Sequence, residues 1–243
     1  MKEAVLRISS NRKLSDAVYE MKLTGIGDAD IRSGQFVNLQ IEKLFLRRPI
    51  SVCDVNDDEL TLIYKTVGKG TEALATMREG ETLNALLELG NGYDVSRAGD
   101  KPLLIGGGVG VPPLYLLARK LIEAGKEVSV ILGFNTKNEV FYEAEFKALG
   151  AQVAVTTADG SYGIKGFVTD ALKPCTYFYA CGPAPMERAL YRVMHGHGEF
   201  SLEERMGCGF GACMGCSIMT AHGAKRICKD GPVFAKEDLL WED

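Results

Sequence analysis

At 243 residues the chain exceeds the common single-domain size, so two domains and a small appendage are expected. A hydrophobic share of 46% beside 25% charged residues fits a soluble globular protein, and a net charge of -4 supplies no basic field, which argues against nucleic acid as a partner. No apolar run approaches the roughly 18 residues of a membrane span and the start MKEAVLRISSNRK lacks a signal-peptide core, so no membrane association and a cytoplasmic location are expected.

Up to about Ala98 the chain reads as β-rich, with branched or alternating runs at Ala4–Ile8, Val18–Leu23, Phe36–Ile41, Ile50–Val55 and Leu60–Thr66. Turn material separates them, as at Gly25-Ile26-Gly27 and Asn56-Asp57-Asp58, and the spacing predicts a small antiparallel barrel. A helix over Thr71–Met77, with Thr71 as its N-cap, interrupts it. After Gly99-Asp100 the pattern changes. Strands at Pro102–Ile105, Val128–Leu132, Val153–Thr157 and Tyr177–Ala180 alternate with helices at Pro112–Ala124, Glu139–Leu149 and Pro185–Met194, and Phe200–Leu202 is read as a fifth strand. That alternation is the signature of a parallel sheet with crossover helices. From Glu203 the chain turns to Gly and Cys without periodicity, and so short a segment needs a metal-type staple. The expected division is therefore 1–98, 99–202 and 203–243.

Three motifs carry chemistry. The first is Arg47–Ser51 (RRPIS), in isolation a basic dipeptide before a proline turn. The second is Leu103-Leu104-Ile105 followed by Gly106-Gly107-Gly108-Val109-Gly110, a strand running through a glycine loop into a helix start, where phosphates are attracted. Val111 stands where the usual dinucleotide fingerprint has its third glycine, and a tight turn without a ligand would look much the same. The third is a cluster of four among the seven cysteines: four residues separate Cys208 from Cys213, two separate Cys213 from Cys216, and eleven separate Cys216 from Cys228. An odd cysteine count in a cytosolic chain argues against a disulfide framework. The first two spacings match the plant-type ferredoxin loop of a 2Fe–2S cluster. Gly209, Gly211, Ala212 and Gly215 let the backbone wrap closely and aim N–H groups at sulfur. A zinc site is the competing reading, although zinc ribbons present two separated pairs.

Taken together, RRPIS in a barrel ahead of a dinucleotide-type domain resembles the flavin-binding Arg-x-Tyr-Ser signature of the ferredoxin reductase superfamily. That resemblance gives Arg48 the FAD pyrophosphate and Ser51 the flavin N5 edge, with Pro49 between them and Ile50 where relatives carry Tyr. It places the rest of the FAD site at Ile63, Tyr64, Lys65, Gly70 and Thr71. It also places the nicotinamide at Gly106, Gly107, Gly108 and Gly110, with Cys181, Gly182 and Pro183 (Cys-Gly-Pro) beside the ring and flavin. Ser51 and Cys181 are thus the residues expected nearest the reacting atoms, with no acid–base residue. The run Asp159–Gly166 recurs in such relatives and is expected as a mobile, glycine-hinged loop. Gly133-Phe134-Asn135 is neutral, which favours NAD over NADP, though Lys137 is nearby. His195 and His197 read as a solvated turn, and Phe141, Tyr142 and Phe146 as helix core.

The order flavin barrel, nicotinamide domain, cysteine cluster resembles, over essentially the whole chain, the electron-transfer subunits of class B dihydroorotate dehydrogenase. The resemblance implies FAD, NAD and a 2Fe–2S cluster as cofactors. It implies an FMN-containing dihydroorotate dehydrogenase catalytic subunit as partner, in a heterotetramer of two plus two serving pyrimidine (UMP) synthesis. Other readings are a same-architecture subunit of a sulfide dehydrogenase or of an NADH-dependent ferredoxin:NADP oxidoreductase, a self-contained flavoreductase, and a zinc-stapled, non-enzymatic binding module.

Overall fold

The computed structural model describes residues 1–241. Strands β1 (Lys2–Lys13), β2 (Val18–Thr24), β3 (Phe36–Leu39), β4 (Arg48–Asn56) and β5 (Glu59–Lys65), helix α1 (Lys69–Thr76) and strand β6 (Thr82–Leu89) build the first part. Their strands close into an antiparallel barrel in the order β1-β2-β5-β4-β3-β6. Leu6, Met21, Leu39, Leu60 and Leu62 fill its interior with no exposure, and closure leaves no strand edge unpaired.

Two local expectations are corrected. Strand β6 falls where the sequence reading has none: Thr82–Leu89 is rich in helix-forming Leu, Ala and Glu, yet Leu83, Ala85 and Leu87 alternate inward with period two. Thr71 does not cap α1. Gly68 is the cap residue, and Thr71 lies one turn in, its hydroxyl accepting from Val67 N–H (2.9 Å) and donating to the Gly68 carbonyl (3.1 Å).

The second part comprises β7 (Leu103–Gly107), α2 (Pro113–Glu123), β8 (Ser129–Phe134), α3 (Glu143–Ala148), β9 (Gln152–Thr157), β10 (Ile164–Lys165), β11 (Phe178–Cys181), α4 (Ala184–Val193) and β12 (Gly198–Ser201). The tail adds the hairpin β13 (Ser217–Thr220) and β14 (Gly223–Arg226), a short helix α5 (Ile227–Asp230) and β15 (Val233–Ala235). The sheet runs β10-β9-β8-β7-β11-β12-β15, parallel except for β15, which pairs antiparallel with β12. Hence the chain beyond Glu203, aperiodic as a sequence, returns to the sheet as its last strand.

The helix expected over Glu139–Leu149 is shorter. Tyr142 takes a left-handed φ of 65° and the helix starts only at Glu143. Tertiary packing overrides propensity here: Phe141 stacks edge-on against Phe134 at 5.3 Å, and the Tyr142 hydroxyl donates to Glu20 of the barrel at 2.9 Å. Phe141, Tyr142 and Phe146 are buried. The 159–166 run is tied down by Tyr162 N–H to Thr157 Oγ1 (3.0 Å), by the Tyr162 hydroxyl to Glu143 (2.9 Å) and by β10. Among the described residues no helix is long and apolar enough to cross a membrane.

Glu199 on β12 holds the segment that connects the two parts, accepting the backbone N–H of Asp94 at 3.1 Å while 6% exposed. Burial, opposed by that hydrogen bond, lifts its carboxyl to about 7. A carboxyl raised on folding contributes stability that is complete below its unfolded value of 4.5 and is lost as the pH rises through about 7. Glu199→Gln keeps an acceptor for Asp94 but removes the charge. The variant should therefore match the parent near pH 4.5 and exceed it by about 1–2 kcal/mol at pH 8, as read from melting curves at the two pH values.

Candidate functional site

The barrel presents its motif through the β3–β4 ladder, in which Leu39, Asn38, Val37 and Phe36 oppose Arg48, Pro49, Ile50 and Ser51. Val37 and Leu39 belong to the barrel core, whereas Phe36 packs with Leu89 and Phe234 outside it. Alternation along the strand therefore sets Phe36 and Asn38 on the outer face, opposite Ser51 and Pro49. Ile50, opposite Val37, packs against the barrel core. The two arginines differ in employment. Arg47 donates to the carbonyls of Asn38 and Asn84, each at 3.3 Å, so it braces the barrel. Arg48 lies across the first turn of α1, where a Cβ on Gly70 would fall 1.9 Å from its Nε. A side chain at position 70 would displace the guanidinium from that place. A guanidinium meeting the free N–H groups of a helix start is an arrangement that suits a pyrophosphate. An open groove of about 730 Å³ borders α1 at Ala73 and Met77 and the Gln40–Lys43 turn. Tyr64 is buried in the barrel with its hydroxyl on Asn11 at 3.0 Å, Ile63 is buried toward the sheet, and Lys65 is exposed.

The glycine loop sits at the switch point of the sheet. From β7 the chain builds outward through β8, β9 and β10, then crosses back to place β11 on the other side of β7. The loops after β7 and β11 diverge there and leave the crevice in which parallel sheets bind ligands. They are Gly106–Gly110 and Cys181-Gly182-Pro183. Their glycines answer first to each other: a Cβ on Gly110 would meet the Cys181 carbonyl oxygen at 2.2 Å, and one on Gly107 or Gly182 would meet Met186 at 2.4 Å. Gly108, at φ 52°, faces open space. Burial lifts the Cys181 thiol, with Glu187 adding to it, so Cys181 stands as a neutral thiol. Glu187 is 2% exposed, its carboxyl raised by burial, and its Oε1 has no partner among the described residues.

The four clustered cysteines come from the loop before β13 and from α5. Gly209 (φ 78°), Gly211 (φ 90°) and Met214 (φ 61°) turn the backbone left-handed, so that N–H groups point inward. Ala212 N–H and Cys213 N–H reach Cys208 Sγ at 3.2 and 3.4 Å, Gly215 N–H reaches Cys213 Sγ at 3.5 Å, and Cys228 N–H reaches Cys216 Sγ at 3.4 Å. The thiols lie as two pairs, Cys208 with Cys213 and Cys216 with Cys228. Among the described residues no three such groups close around one ion. Four thiols so arranged can serve a two-iron cluster, two to each iron. Burial resists ionisation of Cys208, but N–H groups of Cys213, Phe210 and Ala212 bring it down to about 6. Cys228 is pushed up to about 12 by burial and by Cys216.

Two residues of this region carry no sequence signal. Arg226 donates to Asp230 at 3.1 Å and to the Gly211 carbonyl at 2.9 Å, clasping the cysteine loop to α5. Asn38 donates to the Cys208 carbonyl at 3.0 Å. The only hint of the latter is a polar residue within an apolar strand.

Residues 203–240 match the family described as the iron-sulfur cluster binding domain of dihydroorotate dehydrogenase B, and 104–192 match the oxidoreductase NAD-binding domain. The chain is 42% identical over 255 residues to the dihydroorotate dehydrogenase B (NAD(+)) electron transfer subunit of Bacillus pumilus, covering 98% of each. It is 41% identical over 250 residues to that of Fusobacterium nucleatum, covering 96% of each. Among solved structures, an NADH-dependent reduced ferredoxin-NADP oxidoreductase superposes with a TM-score of 0.88 at 31% identity, over 97% of this chain and 90% of the other. A ferredoxin NADP+ reductase from Neisseria gonorrhoeae shares the fold, with a TM-score of 0.67 at 18% identity over 81% of this chain and 94% of the other.

The two loop glycines separate by experiment. Gly110→Ala drives a methyl into the Cys181 backbone and should cost about 1–3 kcal/mol of overpacking. Gly108→Ala meets nothing and should cost about 1–2 kcal/mol, from its left-handed φ alone. Urea unfolding gives both values, and only Gly110→Ala should disturb the near-ultraviolet signal of Tyr179, on β11, and of Tyr93, which packs edge-on against it at 5.5 Å.

Proposed function

The chain belongs to the family of dihydroorotate dehydrogenase B (NAD(+)) electron transfer subunits, and from that premise we propose that it carries electrons from the FMN of a catalytic subunit to NAD⁺ during pyrimidine synthesis. It is an NAD-linked oxidoreductase subunit that works with FAD, a 2Fe–2S cluster and NAD, and its partner is the dihydroorotate-oxidising subunit. The assembly we propose is a heterotetramer of two plus two, in the cytoplasm. The observation that carries this reading is the single ladder on which the sites converge: Ser51 and Asn38 share the outer face of β3–β4, and Asn38 reaches the backbone of Cys208.

We assign the sites as follows. Arg48, with Gly70 and Thr71 at the start of α1, holds the FAD pyrophosphate, and Pro49 and Ser51 on the outer face of β3–β4 line the flavin side; Ile50 and Tyr64 pack in the barrel, Ile63 packs toward the sheet and Lys65 is exposed, so the expectation for these four is not carried over. Gly106, Gly107, Gly108 and Gly110, with Cys181, Gly182 and Pro183, receive the nicotinamide dinucleotide. Cys208, Cys213, Cys216 and Cys228 hold the cluster. The partition 1–98, 99–202 and 203–243 follows these roles. A bound flavin supplies the junction between hydride transfer and one-electron steps, and the cluster supplies the one-electron relay. Neither step asks this chain for a general base, which accords with Cys181 and Glu187 being kept neutral by burial. NAD is favoured over NADP because the end of β8 presents an acid: Glu139 accepts from Asn135 N–H at 3.1 Å, while Lys137 is engaged over the Tyr162 ring at 5.9 Å.

The same architecture occurs in the NADH-dependent reduced ferredoxin-NADP oxidoreductase. Its 31% identity, against 41–42% to the dihydroorotate dehydrogenase B subunits, places the present chain with the latter.

Purified without oxygen, the chain should contain about two irons and two acid-labile sulfides; stoichiometric zinc without iron overturns the cluster. Arg48→Ala should weaken FAD by about 1.5–3 kcal/mol while leaving the iron content unchanged, as titration of the apoprotein would show. In the assembled complex, with assembly checked by gel filtration, Cys213→Ser should abolish dihydroorotate-dependent NAD⁺ reduction and spare NADH-dependent reduction of an artificial acceptor. Full dihydroorotate:NAD⁺ activity in an assembled, cluster-free complex removes the relay.

A further inference from the structure

Asn38 stands out because it is a primary amide at 1% exposure whose oxygen has no hydrogen-bond partner among the described residues. Its Nδ2 donates to the backbone carbonyl of Cys208 at 3.0 Å, across 170 residues of sequence. A carbonyl only accepts, so that contact fixes which end of the amide faces the cysteine loop. The amide oxygen is left buried and has no donor among the described residues. An unanswered buried carbonyl is costly in a folded protein.

Asn38 opposes Pro49, and Phe36, two residues before it, opposes Ser51, so Asn38 lies on the face that carries the flavin-edge serine. The contact is also closely built from the cysteine side. Gly209, next to the ligand Cys208, has φ 78°, and a Cβ there would lie 2.3 Å from Asn38 Nδ2. One side chain thus touches the backbone of a cluster ligand and stands on the flavin strands.

We propose that Asn38 is a positioning residue for electron exchange between cluster and flavin: its NH₂ group fixes the Cys208 backbone, and with it the cysteine loop, against β3. This rests on the cofactor assignment above. In the exchange no bond to Asn38 forms or breaks. One electron moves from reduced flavin to an oxidised cluster, turning one ferric iron ferrous, or returns the same way. The amide sets the distance and the local dipole at Cys208, as outer-shell groups do at other metal centres.

The test uses the intact complex and single-turnover reduction by NADH under anaerobic conditions. In the parent protein, a flavin phase followed by a cluster phase establishes the cofactor reading itself; a parent without iron or flavin refutes that reading and leaves Asn38 out of account as its cause. Asn38→Asp is nearly isosteric but places an oxygen against the Cys208 carbonyl. Asn38→Ala removes the contact. Each should leave flavin reduction by NADH within about twofold of the parent, slow the cluster phase by about tenfold or more, and shift the electron paramagnetic resonance of the reduced cluster. Asn38→Gln, which retains the donor, should recover part of the rate. Gly209→Ala pushes on the same contact from the other side and should reproduce the slowed cluster phase, which covers the case of an Asn38 variant that does not assemble. Unchanged cluster phases and unchanged resonance spectra in loaded Asn38→Asp and Gly209→Ala overturn the proposal. So does loss of rate with no spectral change and no rescue by Asn38→Gln, the pattern of a general structural lesion.

Discussion

Strand β4 is asked to do two things at once, and the arrangement of the site depends on it. Its first residues carry Pro49 and Ser51 on the outer face of the β3–β4 ladder, while Asp54 and the Val55 carbonyl receive Arg119 of α2 at 2.8 and 2.6 Å. Both partners of that ion pair are about four-fifths buried, with side-chain exposures of 23% and 21%. A partly desolvated, charge-assisted contact of this kind is directional as well as strong. It fixes the helix that begins at the glycine loop relative to the strand that begins at Arg48. A second anchor, Tyr142 on Glu20, with Glu20 also held by Arg12 at 2.6 Å, blocks rotation about the first. Hydride transfer needs its two reactants held at near-contact distance, and these two anchors are what hold the barrel and the sheet face to face.

The tail has too little apolar surface to fold alone and takes its support from the other two parts. Asn91, just past the barrel, imitates a strand: its side chain donates to the Val233 carbonyl at 2.7 Å and accepts from Val233 N–H at 3.1 Å. Gly90 leaves room for Pro232, since a Cβ there would meet the proline ring at 2.5 Å. Phe234, Ile227, Cys216 and Cys228 then share one core with Phe36, Phe200 and Leu202. Consequently two of the four clustered thiols are buried while Cys213 is exposed. The side of the cluster segment nearest solvent carries Phe210, Met214 and Met219, exposed by 43%, 55% and 66%.

The electrostatics of the cysteine loop come from backbone and from one clasp. N–H groups converge on Cys208 and lower its thiol, whereas burial dominates at Cys228. Arg226 is locked by Asp230 and spans to the Gly211 carbonyl, so a positive charge stands beside a site that would carry net negative charge once its thiolates bind iron. Asp230 is correspondingly held below its usual range by Arg226.

The local grammar of the chain is enough to establish a great deal. Period-two runs separated by turns declared a barrel, strand-helix alternation declared a parallel sheet, and the Cys208-Cys213-Cys216 spacing declared a ligand loop, because each is a property of residues close together in the sequence. Where short-range preference and tertiary packing disagreed, packing decided: Thr82–Leu89 is a strand because barrel closure needs a sixth, and Tyr142 leaves the helix because its hydroxyl has a partner on Glu20. Thr71 reads like an N-cap, yet the helix begins two residues earlier, where Gly70 makes room for Arg48. The return of Val233–Ala235 to the sheet and the bond from Asn38 to Cys208 had no local trace. A contact between residues 170 positions apart is set by how the barrel, sheet and tail pack, and no periodicity or spacing within the chain encodes it.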